Sequence, residues 1–155
     1  MEASAAGLVL LPAVFAAGGL LIVAGGWKVV RPGPALAALT TAGWRPPRAV
    51  VRSVGAVEMA LGGALMLEPG PASAAGAAIA YACFALFVMR LLRRAHAGVE
   101  CGCFGPMSGE VTAYHVWLNS ALCAVCALAA DVPPPPVSWV GGRTPLSAFA
   151  LVTGL

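Results

Sequence analysis

The stretch Glu100-Cys101-Gly102-Cys103-Phe104-Gly105-Pro106 sets two thiols one residue apart in a loop bounded by glycine and proline. Such a pair can cycle between dithiol and disulfide, or hold a soft metal ion as two thiolates. A disulfide between residues i and i+2 closes a ring that distorts the preferred dihedral of about ±90°, so it is easily reduced and suits an electron carrier better than a structural brace. Gly102 lowers the backbone cost of the ring, and Gly105-Pro106 fixes the exit of the loop. Arg93, Arg94 and a protonated His96 favour the thiolate, as does the N-terminus of a helix capped near Ser108, whereas Glu100 and Glu110 oppose it. Cys103, nearer that helix and farther from Glu100, is the expected attacking thiol. In the metal alternative Cys101 and Cys103 bind copper, mercury or zinc, with His96 or His115 as further ligands. A third reading makes the pair ordinary loop residues of a non-catalytic assembly subunit.

Other polar residues lie inside apolar runs on either side of this loop. Glu58 is the most telling, because a carboxyl group within a membrane span is costly and marks function. Counted from the thiol end at ~1.5 Å per residue, His115 lies roughly 6 Å deep, Glu58 and Asn119 roughly 12 Å and Tyr81 roughly 16 Å. His115 and Asn119 share a helix face at i, i+4. These depths predict a polar cavity under the thiols, with Glu58 as proton acceptor or donor. Asn119, His115 and Tyr81 would bond either a quinone headgroup or Glu58. Cys123-Ala-Val-Cys126 is also a CxxC, but on a continuous helix too far from Cys103 for direct exchange. Cys83, Cys123 and Cys126 are read as small packing residues.

The elements that must position these groups are membrane spans. Of 155 residues 60% are hydrophobic and only 10% charged, with a mean hydropathy of +0.89, far below the roughly 25% charge of a soluble domain. Apolar runs predict four transmembrane helices at about 8–30, 50–67, 74–92 and 111–130, a domain over 1–132. The second and third form an antiparallel hairpin through Glu68-Pro69-Gly70-Pro71. Stripes at Gly18, Ile22, Gly26 and at Gly55, Met59, Gly63 predict close helix contact. Ala35–Thr41 reads as a short interfacial helix, with Trp44 at headgroup depth. Residues 133–155, proline-rich and then apolar, read as an interfacial tail too broken to span. The first segment lacks the basic start of a secretory signal and is expected to be retained. Five cysteines cannot all pair, so at least one thiol is free.

The net charge of +3 is small and scattered, which excludes a nucleic-acid partner. The basic residues instead end the spans: Lys28, Arg31, Arg45, Arg48 and Arg52 around the first loop, Arg90, Arg93 and Arg94 at the end of the third span. By the positive-inside rule both sets, and the CxC loop beside them, face the cytoplasm, with both termini outside.

CGCFG at 101–105 follows a basic end to the third span, with an acid in the second span and Asn in the fourth. Together these resemble the MauE branch of the methylamine-utilisation MauE/DoxX membrane family, over roughly residues 8–130. Lys28 looks like that superfamily's Gly/Lys feature, and Glu58 falls where its second-span acid sits; Leu118 departs from the basic residue expected before Asn119. The resemblance implies a four-helix protein of the bacterial inner membrane, alone or in a homo- or hetero-oligomer. It would work with a thioredoxin-like partner in forming or maintaining disulfides of exported proteins. The residues and the resemblance together predict an all-α polytopic bundle and a thiol–disulfide oxidoreductase. Its catalytic residues are Cys101, Cys103 and Glu58, and it is coupled to that partner, to a membrane quinone, or to both.

Overall fold

The computed structural model describes residues 5–94, 99, 101–103 and 109–135. Among these it is all-helical apart from one backbone bridge: α1 Ala5–Val30, α2 Gly33–Thr41, α3 Arg48–Leu67, α4 Pro71–Arg94 and α5 Ala113–Asp131. Four of them, α1, α3, α4 and α5, are long and apolar enough to cross a membrane. The four predicted spans are thus present; the first two end at 30 and 67 as expected, and the other boundaries move by a few residues. Pro12 lies well inside α1 and not in its first turn. A span tolerates the lost hydrogen bond because neighbouring helices shield the freed carbonyl from lipid.

The predicted cap at Ser108 lies outside the described residues, and the N-cap of α5 is Thr112. The fourth span starts later than expected because the backbone before it is committed elsewhere. Cys101 N–H donates to the Gly109 carbonyl (3.2 Å) and Val111 N–H to that of Val99 (2.9 Å). These two bonds hold both ends of the thiol loop together.

The helices form a ring in which α1 packs most extensively on α3 and α4 on α5; α1 meets α5 more lightly, and the α3–α4 seam is thin. The expected hairpin of spans two and three exists in connectivity, but its helices bury their faces on other partners. The α1–α3 seam is antiparallel and lined by glycines seven residues apart. A Cβ on Gly18 would meet Met66 and the Gly62 carbonyl, and one on Gly55 would meet the Gly25 carbonyl and Lys28. The stripe therefore runs through Gly18 and Gly25 against Gly62 and Gly55. Gly26 and Gly63, expected to be part of it, face no described atom within 4 Å. Spacing alone cannot choose between Gly25 and Gly26, since each falls near the same face of a helix of 3.6 residues per turn.

Two apolar clusters result. One joins Val14, Leu21, Leu65, Tyr81 and Cys126 among others. The second joins Ala38 and Ala42 of α2 and Val88 and Leu91 of α4 to Cys101 and Val111. Through it α2 forms a shelf on which the thiol loop rests.

Candidate functional site: a dithiol over a buried ion pair

Gly102 lies against α2. It adopts φ +70°, in the left-handed region that glycine enters without steric cost, and a Cβ there would collide with the Pro34 carbonyl and Ala38. The close seat turns Cys101 inward, where it is 4% exposed, and leaves Cys103 half-buried. Neither cysteine is in a disulfide, and their Sγ atoms lie 2.9 Å apart.

That contact makes the two thiols unequal. The two sulfurs share one hydrogen bond, in which either can donate; with Cys103 as the donor, Cys101 is drawn down to about 7, burial opposing this and the Lys28 charge assisting. Cys103 is pushed well above the usual thiol range, chiefly because its proton is held in that bond and secondarily by burial. With that donor the acidic thiol is Cys101, whereas distance from Glu100 and nearness to the fourth span point to Cys103 as the attacking one.

Beneath the thiols Lys28 of α1 donates to Glu58 Oε2 of α3 over 2.6 Å, and its ammonium sits 5.0 Å from the centroid of the Phe84 ring. Glu58 Oε1 is buried with no hydrogen-bond partner among the described residues. Lys28 is the residue the sequence reading assigned only to topology and to a family feature. The signal was present in one unpaired cation and one unpaired anion in neighbouring apolar runs. Counting from helix ends hid it, because α1 turns into α2 two residues beyond Lys28 whereas α3 starts ten residues before Glu58.

The remaining expected site residues occupy local roles. The Tyr81 hydroxyl donates to the Ala17 carbonyl (2.6 Å) and Asn119 Nδ2 to the His115 carbonyl (2.6 Å). His115 is the third residue of a capping box: its Nδ1 accepts from Thr112 N–H at 3.2 Å. These three do line a common cavity with Lys28, Cys101 and Cys103, but its volume is only about 40 Å³, and Glu58 is not part of it. The expected single polar cavity is thus divided, with Lys28 and the two thiols shared between its parts.

The larger part is a cavity of about 1020 Å³ between α2, α3 and α4, lined by Lys28, Glu58, Cys101, Cys103, Trp44 and Phe87 among others. At its mouth Trp44 stacks on Phe87, and Arg90 lies over Trp44 while its Nε–H donates to the Ala42 carbonyl. Cys83 also lines this cavity and is exposed, unlike the packing residue it was expected to be. Cys126 is fully buried and Cys123 packs against the same core. Of the alternative metal ligands, His96 lies outside the described residues. Among the described residues no three His, Cys, Asp or Glu side chains gather as a metal-holding group.

Four apolar helices with a docked dithiol loop at one end define a multi-pass membrane protein with thiols at the rim of its bundle. Residues 5–131 match the family described as methylamine utilisation protein MauE, and the chain belongs to that family. The match does not extend to the DoxX side of the resemblance. No curated protein and no solved structure gives a match.

Proposed function

We propose that this protein is a membrane thiol–disulfide oxidoreductase whose Cys101–Cys103 pair exchanges with a thioredoxin-like protein. The observation that carries the reading is the unequal thiol pair: Sγ atoms 2.9 Å apart, with Cys101 brought to about 7 and buried while Cys103 is better exposed. In the disulfide state, a partner thiolate attacks the sulfur of Cys103, the less buried residue of the two. The S–S bond breaks and Cys101 leaves as the stabilised thiolate, the better leaving group of the two. The partner's second thiol, losing its proton, then attacks the partner sulfur bound to Cys103. A disulfide forms in the partner, Cys103 is released and takes up a proton, and two electrons have passed to the CxC pair. Lys28 stabilises the Cys101 thiolate through its charge, and Glu58 keeps that cation paired within the span.

Eight of the nine lysine and arginine residues, all but Arg143, lie at the thiol end of the chain's spans. This favours a CxC loop facing the cytoplasm from the bacterial inner membrane. The partner's dithiol is then a cytoplasmic one. Redox titration with thiol trapping tests the chemistry, and a single two-electron transition of Cys101 and Cys103 is expected. A pair that stays reduced under every oxidant, while retaining a stoichiometric soft metal through purification, would overturn it. Labelling Cys103 with an impermeant maleimide from each side of sealed vesicles tests the orientation.

A further inference from the structure

We propose that the cavity between α3 and α4 binds a lipid-soluble quinone, which takes up the two electrons that the CxC pair has received. The proposal rests on the thiol-exchange reading and adds the oxidant that lets the pair turn over. Three features of the cavity point to this ligand. First, its size: about 1020 Å³ is at the upper end of small-ligand sites. The 40 Å³ space at His115 and Asn119 is well below the ~150 Å³ that admits a benzene ring. Second, its walls are apolar and aromatic, with Trp44, Phe84 and Phe87. A second cavity of about 360 Å³ runs along the thin α3–α4 seam past Val57, Leu61 and Ala80, sharing Val54, Glu58 and Phe84 with the first. A ring at the thiol end could therefore lay an isoprenoid tail along the seam. Third, away from Arg45 and Arg90 the charged groups of the lining are Lys28 and Glu58, and these match both redox states. Lys28 can donate to a quinone carbonyl, and the Glu58 side chain, which lines both cavities, supplies the carboxylate that can accept from a hydroquinone hydroxyl. An acyl chain would fill the apolar walls but would make no use of the Lys28 and Glu58 side chains that also line the cavity.

The reaction balances without a further reagent. Cys101 and Cys103 lose two electrons and two protons and form one S–S bond, while the two ring carbonyls become hydroxyls. Cys103 supplies one proton directly. The second proton, equivalent to the one Cys101 has already released, is taken up from the solvent and passed to the ring by the Glu58 carboxylate at the cavity wall.

The test is a single turnover of the full-length, pre-reduced protein in lipid nanodiscs with decylubiquinone, under anaerobic conditions. Parallel samples receive diamide, a small water-soluble thiol oxidant. We expect one quinone reduced per dithiol lost. Val54→Trp and Leu86→Trp, which fill the cavity from opposite walls, should weaken the concentration dependence for quinone by about tenfold or more and leave oxidation by diamide intact. Both side chains are partly exposed, at 46% and 63%, so at least one variant should fold, as a thermal melt will show. Val23→Trp, on an exposed part of α1 outside the cavity, should change neither. Oxidation by diamide but not by quinone, or folded cavity-filled variants that reduce quinone as the wild type does, overturns the quinone site and leaves the exchange reading standing. Failure of both oxidants to form the disulfide removes the exchange reading, and this proposal with it.

Discussion

Lys28 Nζ and Glu58 Oε2 lie 2.6 Å apart between α1 and α3, with side chains 9% and 4% exposed. The bond crosses the seam diagonally over the Gly25–Gly55 contact, with Lys28 one turn to its thiol side and Glu58 one turn to the other, and places a cation toward the thiol loop. Breaking one member strands a charge out of water, which costs about 3–5 kcal/mol, whereas replacing both by apolar residues of similar volume is often near neutral. Lys28→Met and Glu58→Leu singly should each lower the unfolding midpoint in denaturing detergent. The double variant should regain most of the loss while remaining impaired in thiol exchange. A double variant as unstable as the worse single one would show that the pair is not what couples these residues.

The fold was legible in the sequence because membrane spans announce themselves by composition, and the thiol loop because two cysteines flank one glycine. What escaped was the pairing between elements. Lys28 and Glu58 are 30 residues apart and lie at unequal distances from their helix ends, so depth counted along each helix placed Glu58 beside Asn119 and not beside Lys28. His115 looked like a ligand because nothing in its spacing reveals that Thr112, three residues earlier, would take its ring nitrogen as a cap. Trp44, Phe87 and Arg90 became cavity walls only once α2 was folded back onto α4.

The glycine seam predicts a sharp contrast between positions that look alike in the sequence. Gly55→Leu must displace the Gly25 backbone and Lys28, and overpacking of this kind typically costs about 1–3 kcal/mol. Gly63→Ala and Gly26→Ala enter open space. These should be neutral or stabilising, by up to the ~1 kcal/mol that alanine gains over glycine in a helix interior. Thermal melts in one detergent rank the three, and equal losses at all of them would refute the seam.

The unequal thiol pair predicts a pH dependence whose sign is fixed. With Cys103 as the donor in the sulfur–sulfur bond, Cys101 is brought down to about 7, so its thiolate, and its rate of alkylation by iodoacetamide, should rise as pH increases through about 7 and then level off. Cys103→Ala removes the donor and leaves the burial. The midpoint should then move up, to or beyond the ~8.5 of a free thiol. Cys103→Ser, which keeps a donor, should move it less. The measurement uses a background in which Cys83, Cys123 and Cys126 are alanine, and an unchanged midpoint in Cys103→Ala would assign the acidity to some other cause.

The seat of Gly102 on α2 gives the last prediction. Its φ of +70° and its approach to the Pro34 carbonyl leave no room for a side chain, so Gly102→Ala is opposed both by backbone conformation and by contact. Strain of this order, about 1–3 kcal/mol, matches the net contribution of two loop hydrogen bonds, about 1–3 kcal/mol; with the clash against Pro34 and Ala38 added to it, the loop should lift from the shelf while the four spans stay packed. Cys101, 4% exposed in its seat, should then react with a bulky maleimide at a rate approaching that of Cys103, and its titration should move up as the sulfurs part. Gly109→Ala, at a position with no described atom within 4 Å of the added carbon, is the matched control and should leave the rate unchanged. If Gly102→Ala leaves Cys101 as protected as before, the glycine seat is not what holds the acidic thiol beneath the loop, and the clamp formed by the Val99–Val111 and Cys101–Gly109 bonds suffices alone.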